Sequence, residues 1–433
     1  MSMVVMSYPA NAFDFLQAFN LAEKSDPDLQ AAEYNYQSIL EVRSQSKSSL
    51  LPQLGLNVYV RHDQSDISNS SDPVLMPNEK QSFNTDGYSF SLTQSLYEHG
   101  LYLQLEQADL TIAVATVELE RERQALIMRV AKAYYDVLAA QDNQKFARAE
   151  KNAIEHQLEQ AQKRFDVGMI AITDVKEARA QYDIAIAQEI IADNKVSTAH
   201  EALKVLIGEI PEDLHNLAEN IPLITPEPVD INMWVDSAKK NNLALKSAAY
   251  AVELAQKQVD INRSGHYPSL NLQVSHNYSS PDGGYSVVRD STDTVAVLEL
   301  NVPLYSGGIT SSKTRQAVAE VNKNKSLHDK SLRQAVQQVR DSYLGVNASI
   351  AQVNALKQAL ISTQTAYQAT RAGFQAGTRT AVEVLAVLRE QYRAERDYAQ
   401  TRYDYILNIL SLKQAAGILS KQDVIQINQW LAK

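Results

Sequence analysis

Cysteine is absent from this 433-residue chain. That excludes a disulfide framework, a thiolate metal site, thiol catalysis and an acylated N-terminal cysteine. Basic charge is in the minority, with 41 Lys and Arg against 51 Asp and Glu and a formal charge of -10. Together with the lack of any basic run that could track phosphates, this disfavours nucleic acid as a partner. Nowhere do about 18 apolar residues run together, which argues against a transmembrane helix. If the chain meets a membrane, strands must do it. The signatures of catalysis are missing too: the eight His are scattered, and no HExxH, GxGxxG or P-loop pattern occurs. His99, at a strand-to-helix junction, and His156, inside a long helical stretch, read as solvated rather than ligating. The expectation is a protein without catalytic residues, metal or cofactor.

Proline and glycine are scarce, at 12 and 14, and their placement maps the chain because proline breaks helix interiors and central strands. No proline lies between Pro77 and Pro211, and none follows Pro303. Leu101 to Asp166 contains neither residue, enough for one helix of about 99 Å at ~1.5 Å per residue. Ile309 to Ala376 reads the same way, interrupted only by Gly345 and Gly373, each costing ~1 kcal/mol against Ala.

These two stretches are copies. Phe165, Gly168, Asp174 and Val175 in KRFDVGMIAITDVKEARAQY match Phe374, Gly377, Glu383 and Val384 in AGFQAGTRTAVEVLAVLREQY at one constant offset of 209. At the same offset the seam Ile127, Val130, Tyr134, Val137 matches Val336, Val339, Tyr343, Val346 and continues to Ile350 and Val353. Steps of three and four are a coiled-coil pattern, and these residues read as packing. Flanking Ala133, Ala139, Ala140 and Ala348 let neighbouring helices approach. A duplication this long predicts two structural repeats, residues 13–220 and 221–433. They are preceded by residues 1–12, whose Ala10-Asn11-Ala12 reads as the remnant of a secretory signal; a disordered terminus is the rival.

Each half also carries two alternating segments, predicted as strands at about 52–65 and 85–97, then 268–279 and 293–305. Leu54, Leu56, Val58 and Val60 face one way; Gln53, Gly55, Asn57 and Tyr59 face the other. In the mate, Tyr88, Phe90, Leu92 and Leu96 oppose Ser89, Ser91, Thr93 and Ser95. In the last, Ala296, Leu298, Leu300 and Val302 oppose Glu299 and Asn301. The segments between, RHDQSDISNSSDPVLMPNEKQSFN and SSPDGGYSVVRDS, read as loops. Such alternation suits a membrane barrel or a soluble sandwich equally, and the adjoining very long helices favour the barrel. Barrels need at least eight strands and an open four-stranded sheet leaves edge groups unsatisfied in lipid, so the chain must then oligomerise.

KRFDVGMIAITDVKEARAQYD, LLPQLGLNV from Leu50, PLYSGG from Pro303 and AGTRTAVEVL from Ala376 together resemble the TolC family of outer-membrane channel-tunnels, the outer membrane factors of Gram-negative bacteria. The resemblance runs from about Phe13 to about Asn428. It implies an α+β membrane protein: a homotrimer whose four strands per chain form one 12-strand β-barrel in outer-membrane lipid, continuous with a long α-helical coiled-coil barrel in the periplasm. It also implies an equatorial belt at residues 211–240 and 418–432, and hairpin tips at Gly168 and Gly377. Gly168, Met169, Gly377 and Thr378 would meet a periplasmic adaptor (membrane fusion) protein. An inner-membrane efflux pump or ABC secretion transporter would drive multidrug efflux or type I protein secretion through a passive duct.

By the same resemblance the tips close an aperture through polar links at Thr173, Asp174, Phe374 and Arg379, with Glu383 as an acidic ring; like charges held close attract cations and raise one another's pKa. Two positions depart from the family pattern. Ala386 stands where a second acid is expected, and Phe374 replaces a tyrosine, removing one hydrogen bond of ~0.5–1.5 kcal/mol. The expectation is a looser, less cation-selective mouth. Two bland readings stay open beside these: Thr380-Ala381-Val382-Glu383 is a capping box, with Asp174 a dipole-favoured acid in a first helical turn, and Arg379 is a free surface charge. Two rival functions also remain, a periplasmic coiled-coil adaptor and a pore-forming toxin. Adaptors carry one hairpin where this chain has two, and a toxin would be recovered as soluble monomer.

Overall fold

The computed structural model describes residues 13–66, 68, 80–208, 213–283 and 290–432. The proposed signal remnant and the middle of each strand-to-strand segment lie outside these. The elements are α1 (Phe15–Ser25), α2 (Pro27–Ser48), β1 (Gln53–Asp66), β2 (Lys80–Glu98), α3 (His99–Asp166), α4 (Ile172–Ile207), α5 (Ile231–Asn241), α6 (Leu243–Ser264), β3 (Ser269–Pro281), β4 (Ser291–Asn301), α7 (Ile309–Gln375), α8 (Ala381–Ala415) and α9 (Lys421–Asn428). The order helix, helix, strand, strand, long helix, helix therefore occurs twice before α9. Both long helices run where glycine and proline are sparse, and α7 passes through Gly345 and Gly373 unbroken. Among the described residues no helix is long and apolar enough to cross a membrane.

Two compact units form, and each draws on both halves of the sequence. One comprises the segments 35–116 and 248–328, the other 117–247 and 329–433 with the N-terminal residues up to 34.

The first unit holds an antiparallel sheet in the order β1-β2-β3-β4. Directly paired residues project to the same side, so register decides what each face carries. Leu54 pairs with Leu92, Leu92 with Val274 and Val274 with Ala296. Two residues along, Leu56, Phe90, His276 and Thr294 make the next row, and Val58, Tyr88, Tyr278 and Thr292 the one after. The Tyr88 and Tyr278 rings stack with centroids 5.5 Å apart, and His276 Nδ1 lies 2.8 Å from Thr294 Oγ1. The opposite face carries Asn57, Ser89 and Asn277, where the Ser89 hydroxyl donates to Asn277 at 2.7 Å. Within the chain the apolar face is uncovered: Val58 is 70% exposed and Leu298 63%. Among the described residues β1 pairs with β2 alone and β4 with β3 alone, leaving one edge of each unpaired.

The strands differ from the sequence reading at three places. β1 and β2 stay paired beyond the apolar band, through His62–Asn84 to Asp66–Lys80, so that β2 begins at Lys80, inside the segment that reads as a loop ahead of the strand predicted from about 85. Both faces are polar there, so the alternation signal disappears while the ladder continues. A bulge between Ser95 and Tyr97 shifts the register, and Tyr97, opposite Leu270, rather than Leu96 continues the face of Leu92. β4 stops at Asn301 because Pro303 has no N–H for a ladder, and the next residues, Leu304 and Tyr305, are exposed.

The second unit is helical. Val130, Tyr134, Val137 and Leu138 of α3 are buried with Tyr405, Ile406 and Leu410 of α8. The Tyr134 hydroxyl donates to the carbonyls of Phe13 and His215 at 3.1 and 3.0 Å, tying the seam to short segments around it. Those segments include bridges Phe13–Leu214 and Leu217–Leu431, a Tyr405–Trp430 stack at 6.3 Å and Ile224, whose amide donates to the Tyr405 hydroxyl at 2.6 Å. Val339, Val346 and Val353 are buried as the repeated seam predicts, while Val336, Tyr343 and Ile350 are half-buried.

Candidate functional site at the hairpin turns

α3 ends because Gly168 reverses the chain at φ 75°, in the left-handed region that glycine enters without the Cβ penalty. Gly168 N–H donates to Phe165 O and Met169 N–H to Arg164 O, both at 2.8 Å. α7 ends identically: Gly377 has φ 78°, its N–H donates to Phe374 O at 3.1 Å, and Thr378 N–H donates to Gly373 O at 2.9 Å. These paired bonds satisfy the last carbonyls of both helices. Val167 and Met169 are left as exposed apolar side chains.

The two hairpins meet at one end. Ile154, Ala161, Val175, Ala178 and Ala185 of α3 and α4 pack with Leu385 and Leu388 of α8, and Tyr367 of α7 lies against the cluster. Tyr367 also lies against Phe374, Ala381 and Val384. Further along, Arg396 pairs with Glu150 at 2.7 Å, and the Tyr403 hydroxyl donates to Asp142 at 2.7 Å. Glu189 receives Lys151 at 2.7 Å and Arg148 at 3.2 Å; hydrogen bonding first from Lys151 and then from Arg148 holds its carboxyl below the usual carboxylate range. Burial pushes the Tyr392 phenol up to about 12.

Glu383 is drawn into its own helix start. Its carboxylate accepts the Thr380 N–H at 2.8 Å while the Thr380 hydroxyl accepts the Glu383 N–H at 3.3 Å, the reciprocal box that the spacing suggested. Arg379 Nη1 donates to the other carboxylate oxygen at 2.9 Å. The Thr380 backbone bond, followed by Arg379, keeps the Glu383 pKa below the ordinary glutamate value. Within one chain, then, Arg379 engages Glu383. Thr173 is exposed and Asp174 half-buried in the first turn of α4, whose cap, Ala171, offers no side-chain acceptor.

Phe374 is 4% exposed and turned into its hairpin. The Arg164 guanidinium lies over its ring, 4.0 Å from the centroid, and Arg164 Nη1 reaches the Phe374 carbonyl at 3.4 Å. The one sequence signal for Arg164 is that it is a basic residue in the last turn of α3, and neither period nor motif singles it out. Gly373, which reads as a simple cost to α7, is a close approach: a Cβ there would stand 2.8 Å from Arg379 Cγ.

Residues 18–209 and 234–418 match the family model described as outer membrane efflux protein. The chain belongs to the outer membrane efflux protein family. It is 36% identical over 424 residues to outer membrane protein TolC of Vibrio cholerae, covering 97% of this chain and 94% of that protein. It is 29% identical to the alkaline protease secretion protein AprF of Pseudomonas aeruginosa, over 98% of this chain and 88% of the relative. In fold it is similar to the CmeC outer membrane channel of Campylobacter jejuni, with a TM-score of 0.78 at 15% identity, covering 98% of this chain and 94% of that one. As an outer membrane efflux protein, the chain is a channel component of the outer membrane.

Proposed function

We propose that three copies close one passive conduit. Their four-stranded sheets make a 12-strand barrel in the outer membrane, and their helices wall a tunnel in the periplasm. The observation that carries this is the sheet itself: one face carries Leu54, Leu56 and Val58 of β1 and Leu298 and Leu300 of β4 exposed, with the apolar row Leu54, Leu92, Val274 and Ala296 crossing all four strands, and among the described residues both edges lack partners. In hydrocarbon each unpaired backbone group costs several kcal/mol, so the edges must close on other copies. Two copies would give eight strands, whose interior fills with side chains; three give an open lumen.

An inner-membrane efflux pump or ABC transporter supplies the energy, and a periplasmic adaptor engages Gly168, Met169, Gly377 and Thr378 at the tips. The cargo is drugs and secreted proteins, in keeping with the secretion relative and the efflux family. At the mouth the reading assigns Thr173, Asp174, Phe374 and Arg379 to closing links and Glu383 to an acidic ring. Because Arg379 offsets each Glu383 charge, that ring is a weak cation filter at rest.

Extraction in detergent, a mass measurement and planar-bilayer recording test the proposal. Three chains per particle with ion flux support it, whereas a soluble monomer or a closed non-conducting particle sinks it.

A further inference from the structure

Three arginines join the α3–α4 hairpin to the α7–α8 hairpin on the side of the turns: Arg389 to Gln181 at 3.0 Å, Arg396 to Glu150, and Arg164 to both the ring and the carbonyl of Phe374. The last lies nearest to both glycine turns in sequence. It combines two attractions at one group. The guanidinium covers the negative face of the ring, and it caps a carbonyl at the negative end of a 67-residue helix from another hairpin. Phe374 is fixed from beneath by Ala381 and Val384, and Arg164 belongs to the last turn of α3, closed by the Met169 bond. Both partners are therefore held by their own hairpins, so the turns cannot separate without breaking the contact. An isolated surface arginine would have no such consequence.

We propose that Arg164 is a positioning residue for the closed state: a clasp that holds the two turns of each chain together and is released when the mouth opens. This rests on the conduit reading above. The clasp asks for a planar cation over an aromatic ring, which Phe374 supplies without a hydroxyl, and lysine would satisfy it only in part.

The test uses the full-length protein in detergent and planar bilayers. Losing a partly shielded cation–ring contact should raise the open fraction of Arg164→Gln about fivefold over wild type, with particle mass and thermal midpoint unchanged. Arg164→Lys should fall between the two. Phe374→Leu should raise opening alone but add nothing in the Arg164→Gln background, because the two act as one unit. Wild-type gating in Arg164→Gln, or additive effects in the double variant, would overturn the clasp. If Arg164→Gln does not assemble, Arg164→Lys decides alone, and wild-type opening there overturns it. A wild-type protein that never conducts refutes the conduit instead, so the two failures are distinguishable.

Discussion

The Arg379 guanidinium lies 2.9 Å from the Glu383 carboxylate, four residues on along the same chain. Both side chains are substantially exposed, so the pair adds little to stability, but it determines how much bare negative charge the turn presents.

Removing the cation should therefore sharpen selectivity. Arg379→Ser is expected to shift the reversal potential across a salt gradient toward cations and to increase resting conductance. Glu383→Ala should abolish cation preference and loosen the start of α8 by removing the acceptor of the Thr380 N–H. Unaltered conductance and selectivity in both would return Arg379 and Glu383 to ordinary surface roles.

Acid should loosen the same turn. The Glu383 pKa is lowered in the folded chain, so its contribution is present above the unfolded value and disappears as pH falls through the folded one. Amide-exchange protection of Glu383 and Val384 is expected to be flat above about pH 5 and to decline below about pH 4, given an unperturbed glutamate near 4.3. In Glu383→Gln that decline should vanish.

Two glycines of α7 should respond oppositely to alanine. Gly345 has its nearest neighbour, Asn408, 4.0 Å from a built Cβ, and Gly345→Ala should stabilise by up to ~1 kcal/mol through helix propensity. Gly373→Ala puts its Cβ 2.8 Å from Arg379 Cγ, so it should expel Arg379 and reproduce the selectivity of Arg379→Ser. Identical thermal midpoints and conductance for the two variants would contradict this.

Adjacent tyrosines in α3 should also separate. Tyr134 shares its hydroxyl proton between two carbonyls, whereas the fully buried Tyr135 hydroxyl has no partner among the described residues. Tyr134→Phe should cost about 1–3 kcal/mol by leaving the His215 carbonyl without the hydroxyl, the Phe13 carbonyl keeping the His215 N–H, and Tyr135→Phe should be neutral or stabilising. Denaturant titration of the helical unit's signal compares them.

On the sheet, Leu56→Arg should block assembly in detergent or lipid, since a charge on a lipid-facing strand costs about 2–4 kcal/mol at mid-bilayer. Asn57→Asp, one residue along and on the opposite face, should assemble normally. Equal tolerance would mean that the apolar face does not meet lipid.

Much of this protein was determined by its sequence alone, because the signals involved are local. The absence of glycine and proline permits α3, alternation marks the apolar band of β1, and Gly168 and Gly377 sit where only a positive φ turns the chain at little cost. The reading of the strand ends failed where both faces became polar, since pairing there depends on a neighbour strand and leaves no periodic trace. Only the tertiary structure decided which of several nearby partners each polar group takes. The sequence reading links Arg379 to Thr173 or Asp174, whereas within the chain it takes Glu383, one helical turn away; Arg164 and Phe374, 210 residues apart, meet because two hairpins share one buried cluster. Contacts of that kind depend on how whole helices lie against one another, and no stretch of sequence short enough to read by period or motif contains that information.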